Sequence, residues 1–281
     1  MTWWQSVVLG IVEGLTEYLP VSSTAHLLLA QRAMGIPESE ASNAYAICIQ
    51  AGAIVAVLGI YFSQVKNMIA GVLGKVRIGD GNEEGFRLAR NIVVAFLPAA
   101  VIGVLFNSKI EELLFGLGPV VAAWFVGGLA ILIVTQIRRS KSESNTGSSL
   151  ALLTWKAALT IGFIQCIAMW PGTSRSLVTI VGGIIVGLSL TAAVEFSFLL
   201  GVVTLLAATV YESLDSGPVM IAAYSPFAIL IGCLAAWISA VLAVKWMLAY
   251  LKKRDMAIFG YYRVILAIVV GVMLYRGILV G

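Results

Sequence analysis

Charge is what this chain has least of. Asp, Glu, Lys and Arg make up 11% of its 281 residues, against about 25% in a soluble domain. There is one histidine, His26. The three cysteines, Cys48, Cys166 and Cys233, lie far apart in apolar runs with no C-x-x-C. That excludes a disulfide scaffold and a thiolate metal framework, and the cysteines read as small core hydrophobes. The opening Met1-Thr2-Trp3-Trp4 holds no Lys or Arg, so the N-terminus is expected to be retained rather than cleaved as a leader. The net charge of +4 gives no support for nucleic-acid binding.

What is present in excess is apolar surface. Sixty per cent of the residues are hydrophobic and the mean hydropathy is +0.99. A chain of this size cannot hide so much in one water-soluble core. The remaining class is a polytopic membrane protein, mostly helical, because lipid makes the backbone satisfy its own hydrogen bonds.

Six apolar segments read as full spans: 44–62, 91–106, 117–137, 194–214, 226–250 and 257–280. Two more, 3–34 and 155–190, are broken by Leu19-Pro20-Val21-Ser22-Ser23 and Trp170-Pro171-Gly172-Thr173-Ser174. Each is too short for two crossings of about 20 residues. Each is also polar where a single span should be driest, so a re-entrant helical hairpin fits better. Charge agrees. With re-entry, three basic groups face one side: Lys66, Lys75, Arg77, Arg87 and Arg90; Arg138, Arg139 and Lys141; Lys252, Lys253 and Arg254. The other side holds Glu38, Glu40, Glu111, Glu112, Glu212 and Asp215, with only Arg32, Lys109 and Arg276 as basic residues. The positive-inside rule makes the basic side cytoplasmic and puts both termini outside.

The breaks recur about 150 residues apart, at Pro20 and Pro171, and Tyr61 and Tyr211 end the spans that follow. The expected architecture is an all-α integral membrane protein of two inverted-topology repeats, each a re-entrant hairpin plus three transmembrane helices. The first repeat is residues 1–140 and the second 150–281, separated by a polar linker, 141–149. Three spans per half invert the second half, so the two hairpin tips can meet inside the membrane, where such folds place their binding sites.

Six ionisable residues fall inside apolar segments: Glu13, Glu17, His26, Arg175, Glu195 and Arg263. Each costs at least about 2.5 kcal/mol on insertion scales unless paired or hydrated. Glu13 and Glu17 are i, i+4 on one helix face. Past Pro20, Ser22 or Ser23 is a natural N-cap, Thr24 follows, and His26 lies in the first returning turn. The second break offers Ser174, Arg175 and Ser176, with Thr179 one turn on. A helix start rich in Gly, Ser and Arg suits an anion, and Arg grips phosphate bidentately. Glu195, near one end of its span, and Arg263, which can snorkel, favour structural roles. Trp3, Trp4, Trp155 and Tyr250 read as interface anchors, and Gly127-Gly128 and Gly182-Gly183 as sites of close helix packing. Carboxylates, hydroxyls and an imidazole on one tip, with Arg and hydroxyls on the other, meet the needs of phosphoryl transfer. The substrate would be an amphiphile with a phosphate head and a tail left in lipid.

At these residues the sequence resembles a known family. Glu13-Gly14-Leu15-Thr16-Glu17-Tyr18-Leu19-Pro20-Val21-Ser22-Ser23-Thr24-Ala25-His26 and Pro171-Gly172-Thr173-Ser174-Arg175-Ser176 with Thr179 are similar to the two signature motifs of bacterial undecaprenyl-diphosphate phosphatases of the bacitracin-resistance type. The likeness covers essentially the whole chain; Ala25 stands where the family usually has Gly. The resemblance implies hydrolysis of undecaprenyl diphosphate to the monophosphate carrier of cell-wall synthesis. It also implies residence in the bacterial cytoplasmic (inner) membrane, with the site open to the outer face. It assigns the working roles to Glu13, Glu17, Ser23, His26 and Arg175, with Ser22, Thr24, Ser174, Ser176 and Thr179 as phosphate contacts. Ser23 is the expected nucleophile, with His26 and Glu17 moving its proton; His26 or an activated water as nucleophile stays open. Glu13 either orients that network or, with Glu17, helps hold a divalent cation, Mg2+ or Ca2+. The expected partners are the polyprenyl diphosphate and membrane lipids, with a homodimer left open and no nucleic acid.

Three other classes compete. Inverted repeats with broken helices also make transporters or lipid flippases. The membrane lipid phosphatases that work through two histidines are excluded by the single histidine. A non-catalytic scaffold leaves the polar constellation unexplained.

Overall fold

A computed structural model describes residues 1–78, 81–114, 116–140 and 147–279, without the side chains at 107, 108, 111 and 112. The linker positions 141–146 and the charges of Lys141, Glu111 and Glu112 therefore lie outside the description. Among the described residues the chain is helical, with twelve α-helices. They are α1 (Trp3–Thr16), α2 (Ser23–Ala33), α3 (Glu40–Ile60), α4 (Phe62–Lys75), α5 (Glu83–Leu114), α6 (Leu117–Ser140), α7 (Trp155–Gln165), α8 (Arg175–Ile185), α9 (Leu190–Asp215), α10 (Gly217–Ala223), α11 (Pro226–Leu251) and α12 (Ala257–Tyr275). Six are long and apolar enough to cross a bilayer: α3, α5, α6, α9, α11 and α12. Their outward side chains stay apolar, as at Val104, Leu242 and Ile265. This suits lipid and would be an aggregation hazard in water.

The remaining elements adjust the sequence reading. Residues 62–75 form α4, packed along the start of α5, where only a basic loop was expected. The second span reaches further at both ends than 91–106, and carries Pro98 within it. A short α10, with Pro at its start, links α9 to α11.

The two broken segments are helical hairpins. Their arms have 14 and 11 residues in the first, and 11 each in the second. At 1.5 Å per residue these arms measure about 16–21 Å, short of a hydrocarbon core of about 30 Å. Each hairpin returns to the end from which it starts. In the first, Gln5 at the base of α1 donates to the Met34 carbonyl at the end of α2 (3.3 Å). In the second, Asn91 at the base of α5 donates to Leu153 just before α7 (2.7 Å), and Gln64 of the neighbouring α4 donates to Glu195 at the start of α9 (3.2 Å). The same end carries the Arg139–Asp255 pair at 2.7 Å, which joins the end of α6 to the loop before α12. The basic groups after α6 and α11 therefore share one end of the molecule.

The two halves use like signals at like places. Thr2 caps α1 and Thr154 caps α7; Ser39 caps α3 and Ser189 caps α9. Packing exchanges between them. α1 lies along α11, and α7 along α5, while α3 faces α9 and α6 faces α12. Small residues make the approach possible. A Cβ at Gly14 would stand 2.2 Å from the Ala236 carbonyl, and one at Gly162 would stand 2.5 Å from that of Ala95.

Candidate active site

Both breaks are built alike. α1 stops at Thr16, and the chain turns through Glu17–Val21 before Ser22 caps α2 with φ of 73°. α7 tightens into a 3-10 turn over Cys166–Met169, passes Gly172 at φ 93°, and reaches Ser174, the cap of α8, at φ 78°. A left-handed serine costs of order 1–3 kcal/mol and persists where surroundings over-determine it. Here it stands at the same step in both tips. After each reversal a new helix starts, with first-turn N–H groups that have no acceptor within the helix.

The tips are stitched together. Ser176 Oγ donates to the Leu19 carbonyl across the junction (2.9 Å). Arg175 Nη2 reaches Glu17 Oε1 at 3.1 Å. Arg263, from α12, donates to four carbonyls: Pro20 (3.3 Å), Gly172 (3.0 Å), Ala123 (3.0 Å) and Trp124 (3.3 Å). It is 0% exposed. The expectation that Arg263 snorkels is therefore corrected: the guanidinium points inward and fastens both breaks to α6. Gly127 makes room for it, since a Cβ there would stand 2.3 Å from Nη2.

Glu17 sits at the centre. Its Oε2 accepts a close hydrogen bond from Ser23 Oγ while Oε1 accepts from Arg175. Arg175 also donates from Nη1 to the Ser197 carbonyl (3.0 Å) and lies over the Tyr18 ring at 5.3 Å. Its Nε has no hydrogen-bond partner among the described residues. Glu13, one turn before Glu17, is 0% exposed, and neither carboxylate oxygen has a hydrogen-bond partner. A buried carboxylate left so is costly unless a ligand or ion answers it.

The other candidates lie on α2 and α8, and not all of them reach this pair. Ser174 Oγ accepts from the Leu177 N–H (3.3 Å) and meets Ser176 Oγ at 3.0 Å. Thr179 lies beneath, its hydroxyl on the Arg175 carbonyl (2.8 Å) and the Ser197 hydroxyl (2.6 Å). Ser22 makes no side-chain cap; its carbonyl faces His26 Nδ1 at 2.6 Å. His26 stands edge-on to Trp124 and stacked on Tyr262. Thr24 is exposed and lines a cavity of 560 Å³ that opens beside Gln31, Glu40, Asn43, Gln50 and Glu212. That mouth lies at the end of the molecule away from Arg139 and Asp255.

Sequence reasoning missed Tyr262, Ser197 and Gly201, the last packed against the Arg175 guanidinium, and gave Arg263 too small a part. Nothing local in the sequence marks the first three. The one available signal was the buried-looking Arg263 with a Tyr beside it.

Among the described residues no cluster of three or more His, Cys, Asp or Glu side chains could cage a metal ion. Glu13 and Glu17 fit a different pattern, in which one or two carboxylates and the substrate's own phosphates share the ion. Among the described residues neither Glu13 oxygen has a hydrogen-bond partner, so both would be open to such an ion.

Chemically, a hydroxyl bonded to a carboxylate is an activated nucleophile. A guanidinium and two helix starts beside it suit phosphate oxygens. Comparison with known proteins points the same way. The family model described as "Bacitracin resistance protein BacA" matches residues 6–269. A protein of Sorangium cellulosum named undecaprenyl-diphosphatase is 41% identical over 271 residues, covering 96% of this chain and 86% of its own length. An undecaprenyl-diphosphatase of Janthinobacterium sp. is 38% identical, covering 97% and 95%. Undecaprenyl-diphosphatase 1 of Chromobacterium violaceum is 40% identical, covering 94% of each chain.

Proposed function

The chain belongs to the bacitracin-resistance protein BacA family, and from that membership we infer that it is an undecaprenyl-diphosphate phosphatase. It releases inorganic phosphate from the diphosphate and returns the monophosphate carrier, an activity that underlies bacitracin resistance. The observation that carries the mechanism is the chain of contacts Ser23–Glu17–Arg175 across the two tips.

In the first step Ser23 Oγ attacks the terminal phosphorus. The O–P bond forms as the anhydride P–O bond breaks. The Ser23 proton passes to Glu17 Oε2, and the lipid monophosphate leaves with the bridging oxygen. Arg175, whose Nε is unpartnered, and the first-turn N–H groups of α2 and α8 hold the phosphate oxygens as their charge builds. Ser22, Thr24, Ser174 and Ser176 are the adjoining hydroxyls, and Thr179 backs the Arg175 turn. In the second step water attacks the phosphorus, the Ser23 Oγ–P bond breaks, Glu17 returns its proton to Ser23 Oγ, and inorganic phosphate leaves. His26, i+3 from Ser23 on α2 and so on the same face, takes the water proton on Nε2 once the Tyr262 hydroxyl that faces this nitrogen turns aside. Glu13, with Glu17, would hold a divalent cation against the diphosphate, where it neutralises charge on the oxygens.

The same reading gives the membrane setting. The exchanged packing of α1 with α11 and α7 with α5 supports two inverted repeats, 1–140 and 150–281, whose hairpins dip from opposite faces. The positive-inside rule favours the cytoplasmic face of the bacterial inner membrane for the end with Arg139. Both termini, and the cavity that reaches Thr24, then face outside, where the spent lipid diphosphate is left.

Purified protein in detergent, given undecaprenyl diphosphate, should release inorganic phosphate. Arg175→Ala and Ser23→Ala should each lose at least about 10²-fold in kcat. Micelles have no second compartment, so a pure transporter releases nothing. Full activity in Ser23→Ala would remove Ser23 as nucleophile and leave direct attack by water.

A further inference from the structure

The loop between α11 and α12 carries Lys252, Lys253 and Arg254 in a row. All three side chains are exposed. Elsewhere basic side chains find carboxylates: Arg32 meets Glu38 and Lys75 meets Glu83. Among the described residues these three meet none. With Arg139 they line a cavity of 490 Å³, and the carboxylate in its wall is already engaged. Asp255 Oδ2 accepts from Arg139 Nε at 2.7 Å, and Oδ1 accepts from the Ala257 N–H at 3.0 Å. The loop is folded back on itself, with the Lys253 and Arg254 N–H groups both on the Tyr250 carbonyl (3.1 and 3.0 Å). The cavity therefore holds a surplus of positive charge on a tied backbone.

That cavity does not end at the loop. It shares Arg139, Ala257 and Tyr261 with a groove of 370 Å³ between α6 and α12. Deeper in, the two helices pack closely: a Cβ at Gly128 would stand 3.0 Å from the Gly260 carbonyl. Nearer the loop, Leu132, Ile133 and Ile137 wall the groove. Ile133 and Ile137 are exposed on the lipid-facing surface of α6. One part of the feature is cationic, the other is apolar, and they meet at Tyr261. The positive-inside rule by itself accounts for basic residues at this end. It calls neither for a cavity among them nor for an apolar groove leading out of it.

We propose that this feature binds an anionic phospholipid, its phosphate head in the basic cavity and an acyl chain in the α6–α12 groove. Basic pockets between spanning helices suit such heads. Lys252, Lys253, Arg254 and Arg139 give charge-assisted hydrogen bonds to the phosphate oxygens. The surplus of charge favours a head with two phosphates, as in diphosphatidylglycerol, over a head with one. The site lies at the opposite end from the mouth beside Thr24 and shares no residue with the Ser23–Glu17–Arg175 chain. It stands whether or not the phosphatase mechanism does.

Delipidated protein in an uncharged detergent tests this. Diphosphatidylglycerol should bind wild type and raise its thermal midpoint, because a ligand of the folded state stabilises it. Phosphatidylethanolamine, whose head has no net charge, should bind at least about tenfold more weakly. Equal affinity for the two lipids overturns the proposal without any variant. Lys252→Ser/Lys253→Ser/Arg254→Ser should lose at least about tenfold in affinity for diphosphatidylglycerol, while its lipid-free midpoint stays at the wild-type value. Lys66→Ser/Arg77→Ser/Arg87→Ser removes as much charge away from the cavity and should bind as wild type does. An equal loss in that second protein would show that charge anywhere on the molecule serves, and would overturn the site. Inorganic phosphate in large excess should leave the lipid bound. Its displacing the lipid would mean that the cavity takes phosphate alone, and would overturn the part given to the groove.

Discussion

Gly201 sits so closely beneath the Arg175 guanidinium that a β-carbon there would stand 2.1 Å from Nη1. The arginine is thus cradled by α9 as well as bonded to its Ser197 carbonyl. Gly201→Ala should leave the fold intact, and in a helix interior Ala is favoured over Gly by about 1 kcal/mol. The added methyl has to push the guanidinium out of its seat. The expected variant melts no lower than wild type and yet loses at least roughly tenfold in kcat/KM. Measuring the thermal midpoint and phosphate release on one preparation separates the two effects. Full activity would mean that Arg175 can work from another position.

Ser23 and Glu17 share one hydrogen bond, and in the proposed mechanism they act as one unit. Glu17→Gln keeps the shape, loses the base, and also loses the charge that faces Arg175. It should lower kcat by about 10²-fold or more. The double variant Ser23→Ala/Glu17→Gln should be scarcely worse than the poorer single one, because groups acting together are strongly non-additive. Losses that multiply in the double variant would argue that the two residues work separately.

Glu13 has two buried oxygens with no hydrogen-bond partner among the described residues. If a divalent cation completes it, chelation should abolish phosphate release, and Mg2+ or Ca2+ should restore it. Glu13→Gln, with one anionic charge removed, should need at least about tenfold more cation for half-maximal activity. Activity indifferent to chelator would assign Glu13 to orienting the Glu17 network instead.

Sequence reading reached the site where its signals were local. Two prolines in apolar runs, the i, i+4 carboxylates and a hydroxyl-rich restart of helix all lie within two short stretches. The spans were legible for the same reason, since apolar length alone defines them. Contacts made by distant helices were not. Tyr262 lies 236 residues from His26, and in sequence it reads as one more aromatic near a span end. Arg263 looks like a snorkelling residue for lack of any local partner; its four acceptors are backbone carbonyls, which every residue carries and no motif announces. Gly201 is one of 28 glycines, and only the packed structure singles it out.

Arg263 supplies the last prediction. Ser23 and Arg175 come from different hairpins, so catalysis needs the tips held in register. The Arg263 bonds to the Pro20 and Gly172 carbonyls hold both tips to one helix. Arg263→Met removes the charge but leaves those carbonyls without their donor in a buried place. Hydrogen bonds to a charged group are worth about 1.5–3 kcal/mol each, and four made by one side chain do not add fully. A loss near 3 kcal/mol is expected, seen as a lower thermal midpoint in detergent, together with loss of turnover in the protein that remains folded. Arg263→Lys keeps the charge but cannot reach acceptors on three sides, so it should rescue little. Gly127→Ala provides the independent check. It leaves Arg263 in the sequence and places a methyl 2.3 Å from Nη2, so it should reproduce the same loss through displacement alone. A fully active, fully stable Gly127→Ala protein would mean that the guanidinium can move without parting the tips, and that something else keeps Ser23 and Arg175 together.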